Sequence, residues 1–370
     1  MGACVTVRGR WDLLGAGGGR RVRRPTGRRG GHGEIAFARP ARPLHVFVVV
    51  LRLTTSGARP AIWIGVMPDR KEDGDKHHYI PKFYLRQWAG ADGCVCEFSR
   101  PYQPKPGHVA PAKPPVKARR VNPDGTGYLR GLNTFARLRP ELADYLEHRL
   151  LKIIDSKASE ILGMLNRDNV DFADRSSWAR FIMSQLHRSP EGIRRVGEMV
   201  ASRFEHDLAA MIELHYDELR TENDPATFEE FRNSYTQADA DQVQLLSLSR
   251  IMNSELVGTV LVRMCWGVIR TDTLNHLILT SDRPLVMTDG LQRPDAHVLL
   301  PISPVRIFAA AHTEDVLRQI NDKMQHGGGV QLLNNRLVRR ARKYVWAVDD
   351  KPLQFVEQRL GDKMRWCPWE

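Results

Sequence analysis

Apolar side chains keep one spacing up to about residue 257 and another after residue 260, and that change of period decides the fold class. From 140 to 257 they recur at three- and four-residue intervals, through Leu142, Leu146, Leu150, Ile153, Ile154, Ile161 and Leu165, then Trp178, Phe181, Ile182 and Leu186. Such spacing lines one face of an α-helix. Ser189-Pro190-Glu191 supplies a cap, a first-position proline and an acid for the positive end of the next helix. That helix runs on through Met199, Phe204, Leu208 and Ile212, and another is expected from Asp239 to Val257. Beyond 260 the apolar runs are short and bounded by turn residues: 264–269, 277–280, 285–288, 298–301, 306–310 and 344–348, with one helix, Val330 to Arg342, before the last. These patterns predict an α+β fold. A mainly antiparallel sheet comes from the C-terminal third, plus one N-terminal strand, and packs with the large helical region 140–257.

Titratable, aromatic and backbone-directing residues crowd most closely in the stretch Lys76-His77-His78-Tyr79-Ile80-Pro81-Lys82-Phe83-Tyr84-Leu85-Arg86-Gln87-Trp88. Residues before a proline are pushed to extended geometry, so His77 to Ile80 should arrive as an extended, strand-like segment. Pro81 suits the first helical position, with 81, 84, 85 and 88 on one face and Gly90 placed as a cap. A strand is expected over Cys94 to Phe98. From Pro101 to Pro123 the chain has seven prolines, five basic residues and no acid, which reads as a loop. Gly327-Gly328-Gly329 reads as a flexible loop too.

Net charge is informative only once it is located. Residues 1–66 hold 12 arginines, no lysine and two acids, so +10 of the formal +12 lies there. This Arg-Gly-rich leader has no composition for a packed core, and its one apolar run, 44–53, falls well short of the roughly 20 residues a membrane span needs. The reading is that Met67 is the initiator. Residues 1–66 are then a mis-assigned or disordered extension, and 67–370 form a single α+β domain. Five scattered cysteines (4, 94, 96, 265 and 367) provide neither a disulfide framework nor a zinc ribbon. A cytoplasmic location without membrane attachment is the corresponding expectation.

Three segments carry a family resemblance. His77 to Leu85, Gln185-Leu186-His187-Arg188-Ser189-Pro190, and Leu279-Thr280-Ser281-Asp282-Arg283-Pro284 with Leu300-Pro301-Ile302-Ser303-Pro304 resemble the bacterial domain-of-unknown-function family 4238, over roughly Lys76 to Asp349. The resemblance implies a shared architecture and a grouping of these motifs. It implies no activity.

Candidate chemistry comes from those same segments. His77 and His78 lie on opposite faces of an extended strand, so one imidazole, as ligand or general base, is the candidate. Asp282 ends an apolar run, where a carboxylate projects from a rigid element or instead bonds backbone in a tight turn. Gln185 and Arg188 are helix neighbours able to orient an anionic or amide group; pairing of Arg188 with Glu191 is the alternative. One function reading is a metal-assisted phosphodiester hydrolase acting on nucleic acid, with His78 and Asp282 holding a divalent metal and Arg188 facing the phosphate. The other is a non-catalytic binding protein whose motifs are structural, contacting nucleic acid through the basic loop Lys105 to Arg120. Phosphate-cradling loops, nucleophile elbows and His-Glu-x-x-His patterns are absent from the sequence.

Overall fold

The computed structural model describes residues 75–100, 114–170, 173–203, 209–220, 224–234, 236–274, 276–288, 290–326 and 328–361. The leader, the proposed Met67 start, Lys105 and Lys113 lie outside them. Four strands occupy the N-terminal part: β1 (Lys76–His78), β2 (Val95–Ser99), β3 (Lys117–Val121) and β4 (Tyr128–Arg130). Between the first two stands α1 (Lys82–Leu85), continued by a 3-10 turn at Arg86–Trp88. The helical layer consists mainly of α2 (Lys152–Leu165), α3 (Arg175–His187), α4 (Pro190–Arg203), α5 (Gln237–Met252) and α6 (Glu255–Arg263). The C-terminal third supplies β5 (Cys265–Arg270), β6 (Thr280–Ser281), β7 (Val286–Met287), β8 (His297–Ser303), β9 (Arg306–Ala311), α7 (Glu314–His326), α8 (Gly329–Arg340), β10 (Val345–Ala347) and α9 (Leu353–Arg359). The fold is α+β, as the periods require.

Among the described residues all strand pairings are antiparallel, in a ribbon β1-β4 and two four-stranded sheets of order β3-β2-β10-β6 and β5-β9-β8-β7. The second sheet is covered on both faces. Val298, Leu300, Ile302, Phe308 and Ala310 join the core of the helical layer, whereas Leu299, Ile307 and Ala309 pack with Met324, Leu333 and Leu337 of α7 and α8. This is the period-2 alternation of a strand with apolar layers on either side. Pro301 sits in β8 beyond the reach of β7, which pairs only with Val298 and Leu299, so its missing N–H leaves no ladder bond unmade.

Several sequence expectations are corrected. The helix expected over 239–257 is two helices, because Asn253 ends α5 and the Ser254 hydroxyl caps α6 by accepting from the Val257 N–H. Apolar period runs across that break and hides it. The span Gln237–Arg263 has the length and hydropathy to cross a membrane, yet it comprises these two helices, with Asp241 buried in a bidentate pair with Arg137. The end of the expected basic loop is strand β3, where Arg119 pairs with buried Glu97 at 2.9 Å and Arg120 bonds Asp92 and the Val348 carbonyl. The run 277–280 forms a strand only at its end; Leu277 and Leu279 are held instead by the Asn334 side chain, at 2.9 and 2.8 Å. The sequence pattern predicts no element over 314–326, where α7 forms. It turns into α8 through Gly328, whose φ of 66° is a left-handed conformation, and a side chain on Gly329 would meet the Lys323 carbonyl at 2.6 Å.

Candidate functional site

The opening segment is the tie between layers. Pro81 is extended (ψ 143°) and stands just before the helix rather than in its first turn. The predicted face is nonetheless the buried one: Tyr84, Leu85 and Trp88 are at most 1% exposed. Tyr84 Oη donates to the Pro301 carbonyl (2.7 Å) and meets Thr280 Oγ1 (2.9 Å), and Trp88 Nε1 donates to the Ile278 carbonyl (2.8 Å). Phe83 stacks at 5.6 Å on Phe181 of α3. One short helix thus touches both C-terminal motifs and α3, the helix whose end carries the helical motif.

The two histidines part company, as their adjacency requires. His77 is buried, and its Nδ1 accepts from the Asn133 N–H at 2.9 Å. His78 packs its ring against Tyr128 of the paired strand. Burial, reinforced by nearby Lys82, pushes the His78 imidazole down to about 4, so it is neutral at pH 7. Its Nε2 is buried without a hydrogen-bond partner.

Arg188 is 2% exposed and does contact the opening segment, but through that segment's backbone. Nη2 donates to the His78 carbonyl (2.8 Å), while Nη1 and Nη2 form a bidentate pair with Asp155 of α2 (2.7 and 2.9 Å). Its partner is therefore Asp155, not Glu191. Glu191 lies instead 3.6 Å from Arg283, joining the Ser-Pro corner to the Asp282 motif. Gln185, one turn before Arg188, is 9% exposed with both amide atoms unpartnered, as is Arg188 Nε.

Asp282 accepts three backbone N–H groups from a loop 60 residues away: Arg342 on Oδ1 (2.9 Å), Lys343 and Tyr344 on Oδ2 (2.6 and 3.1 Å). The tight-turn alternative for this residue is replaced by a long-range staple that fixes the entry to β10. Burial raises the carboxyl to about 6 against the opposing pull of those three donors. His78 and Asp282 share no bond, and neither is among the main charges acting on the other. In the opening segment it is Tyr79 that feels Asp282. Its hydroxyl is raised by burial first, then by Asp282, Tyr344, Glu191 and Glu97. Among the described residues no three His, Cys, Asp or Glu side chains cluster as a cation site.

Sequence reasoning brought the three motifs together but missed Tyr79, Asp155 and the 342–344 loop. A tyrosine in an aromatic run and an aspartate on a helix carry no signal of their own. The arrangement defines a mixed α+β protein whose helical layer and sheets are fastened at one motif-built junction. Residues 76–351 match the family described as Protein of unknown function (DUF4238), and the chain belongs to that family. No curated protein and no solved structure matches it.

Proposed function

We propose that this chain is a non-catalytic binding protein that contacts nucleic acid, its three motifs serving to weld the helical layer to the sheets. The observation that carries this reading is the use of the motifs' charged groups. Arg188 is spent on Asp155 and the His78 carbonyl, Asp282 on three backbone N–H groups, and His77 Nδ1 on Asn133. Groups so committed hold a fold, and a general acid, base or ligand needs a free lone pair or proton at the reacting atom. A second reading, metal-assisted phosphodiester hydrolysis, is favoured by the unpartnered His78 Nε2, Gln185 amide and Arg188 Nε. In that reading His78 and Asp282 would be the residues to hold a divalent metal, and Asp282 fits poorly because three of its acceptor positions are occupied.

The test is incubation of the full chain, and of a chain starting at Met67, with labelled single-stranded and duplex DNA and RNA in Mg2+ or Mn2+. Retention of intact nucleic acid is expected. Cleavage that disappears in His78→Ala while the circular dichroism spectrum is unchanged establishes the hydrolase instead.

A further inference from the structure

One helix face is left open to solvent in the fold. α6 packs on α3 and buries Leu261 in the main core, with Val257, Val260 and Val262 half-buried beside it. Its outer side carries Glu255, Thr259 and Arg263, all exposed at four-residue spacing, and next to them Leu256, which is 74% exposed. The span Gln237–Arg263 to which α6 belongs is as apolar as a membrane helix, yet only 22% of its most apolar window is buried. An apolar stretch left this open is the kind of surface that meets a partner.

The charges on that face indicate which partner. Neither Glu255 nor Arg263 has a side-chain hydrogen bond or ion pair among the described residues. They stand eight positions apart, about 12 Å along the helix axis, and cannot reach each other. Between Asp241 and Arg270 the chain carries only Arg250, Glu255 and Arg263 as charged residues, so no other carboxylate of this stretch competes for Arg263. Thr259 lies midway between the two. A two-fold axis through Thr259 sets a second α6 antiparallel to the first, bringing Glu255 of each copy to Arg263 of the other. The same axis keeps Leu256 and Val260 of both copies on one flank of the seam. The face is therefore complementary to itself in charge and in apolar content. An acid in the first turn and a base in the last also suit the ends of the helix itself, and antiparallel helices place those opposite ends together.

We infer that α6 is a homodimer contact, in which two copies of this chain meet antiparallel about Thr259 with reciprocal Glu255–Arg263 pairs. The inference is independent of the nucleic-acid reading. At nine residues α6 covers well under the about 800 Å² per partner of a standard interface, so the dimer forms and dissociates with concentration. A bilayer is the less suited occupant, because Arg250, Glu255 and Arg263 punctuate the span and its helix breaks at Asn253.

The experiment is sedimentation equilibrium of the full chain over a wide concentration range, after nuclease treatment so that nucleic acid on the leader arginines does not bridge copies. Wild type should show a monomer–dimer equilibrium. Glu255→Arg alone and Arg263→Glu alone each set like charges across the seam and should raise the dissociation constant about tenfold or more. Mixing these two variants restores opposite charges at both positions, so the mixture should form a heterodimer about as tight as the wild-type dimer. A purely structural role for either residue does not produce that rescue. Leu256→Ser changes an exposed side chain, should weaken the dimer by a similar factor with an unchanged circular dichroism spectrum, and carries the test if a charge reversal fails to fold. A dimer that all three changes leave intact overturns the assignment, as does a wild-type chain that stays monomeric at every concentration. Leu256-dependent capture of phosphatidylserine vesicles by a monomeric chain overturns it too, and assigns the face to lipid.

Discussion

Replacing Arg188 by methionine tests whether the helical motif is structural. Methionine keeps the unbranched apolar stem and removes the guanidinium, leaving the Asp155 carboxylate and the His78 carbonyl without their partner. Breaking a buried ion pair from one side costs about 3–5 kcal/mol. Asp155 retains 23% side-chain exposure, so water recovers part of its solvation and the lower end, about 3 kcal/mol, applies. The double variant Arg188→Met/Asp155→Leu removes the stranded carboxylate, so it should recover at least about 1 kcal/mol of that loss. Urea unfolding of the wild type, both single variants and the double variant gives the coupling energy, provided the m-values agree. A single Arg188→Met variant within about 1 kcal/mol of wild type refutes the reasoning, as do strictly additive single changes.

Asp282 makes a prediction about pH. Its folded value, about 6, lies above the ordinary aspartate range, so its favourable contribution is fully present below the unfolded value and is lost as pH rises through 6. The deficit of Asp282→Asn relative to wild type should therefore shrink by about 2 kcal/mol between pH 4 and pH 8, measured by urea unfolding at each pH; a deficit that is constant or grows contradicts the assignment. Tyr84→Phe and Trp88→Phe each remove a buried donor's bond to a C-terminal carbonyl and should cost about 1–3 kcal/mol, read in the same assay, with no change in fold. Gln185→Met replaces an amide with no protein partner by an apolar isostere and should raise stability by about 1 kcal/mol or more, seen as a higher midpoint of thermal unfolding. A lower midpoint would reveal a water or ligand on the amide.

Legibility in the sequence followed the range of the interaction. Helices α2 to α4 announced themselves because their apolar period and the Ser189-Pro190 start are local. β5, β8 and β9 were visible for the same reason, as runs bounded by turns. β3 was not, since Lys117-Ala118-Arg119-Arg120-Val121 lacks apolar alternation and owes its place to pairing with β2 and to Glu97. The motif residues were read as candidates for chemistry, and the partners that the structure gives Arg188 and Asp282 were beyond reach of the sequence. Asp155 is 33 positions from Arg188, and the loop that Asp282 binds is 60 positions away. The opposite faces of His77 and His78 followed from strand geometry alone, and both structural neighbourhoods bear that out.

The bonds of α1 also set an order of events for a chain made from its N-terminus. Tyr84 and Trp88 find their acceptors 217 and 190 residues later, so the helix leaves the ribosome long before the strands that anchor it exist. Contacts of such separation are slow to close, and the local pairs within the helical layer have every opportunity to form first. The segment synthesised early is the one locked late. Until β8 is complete, the aromatic face of α1 is an unfilled surface on the nascent chain, and a chaperone that recognises apolar surface would have its target there.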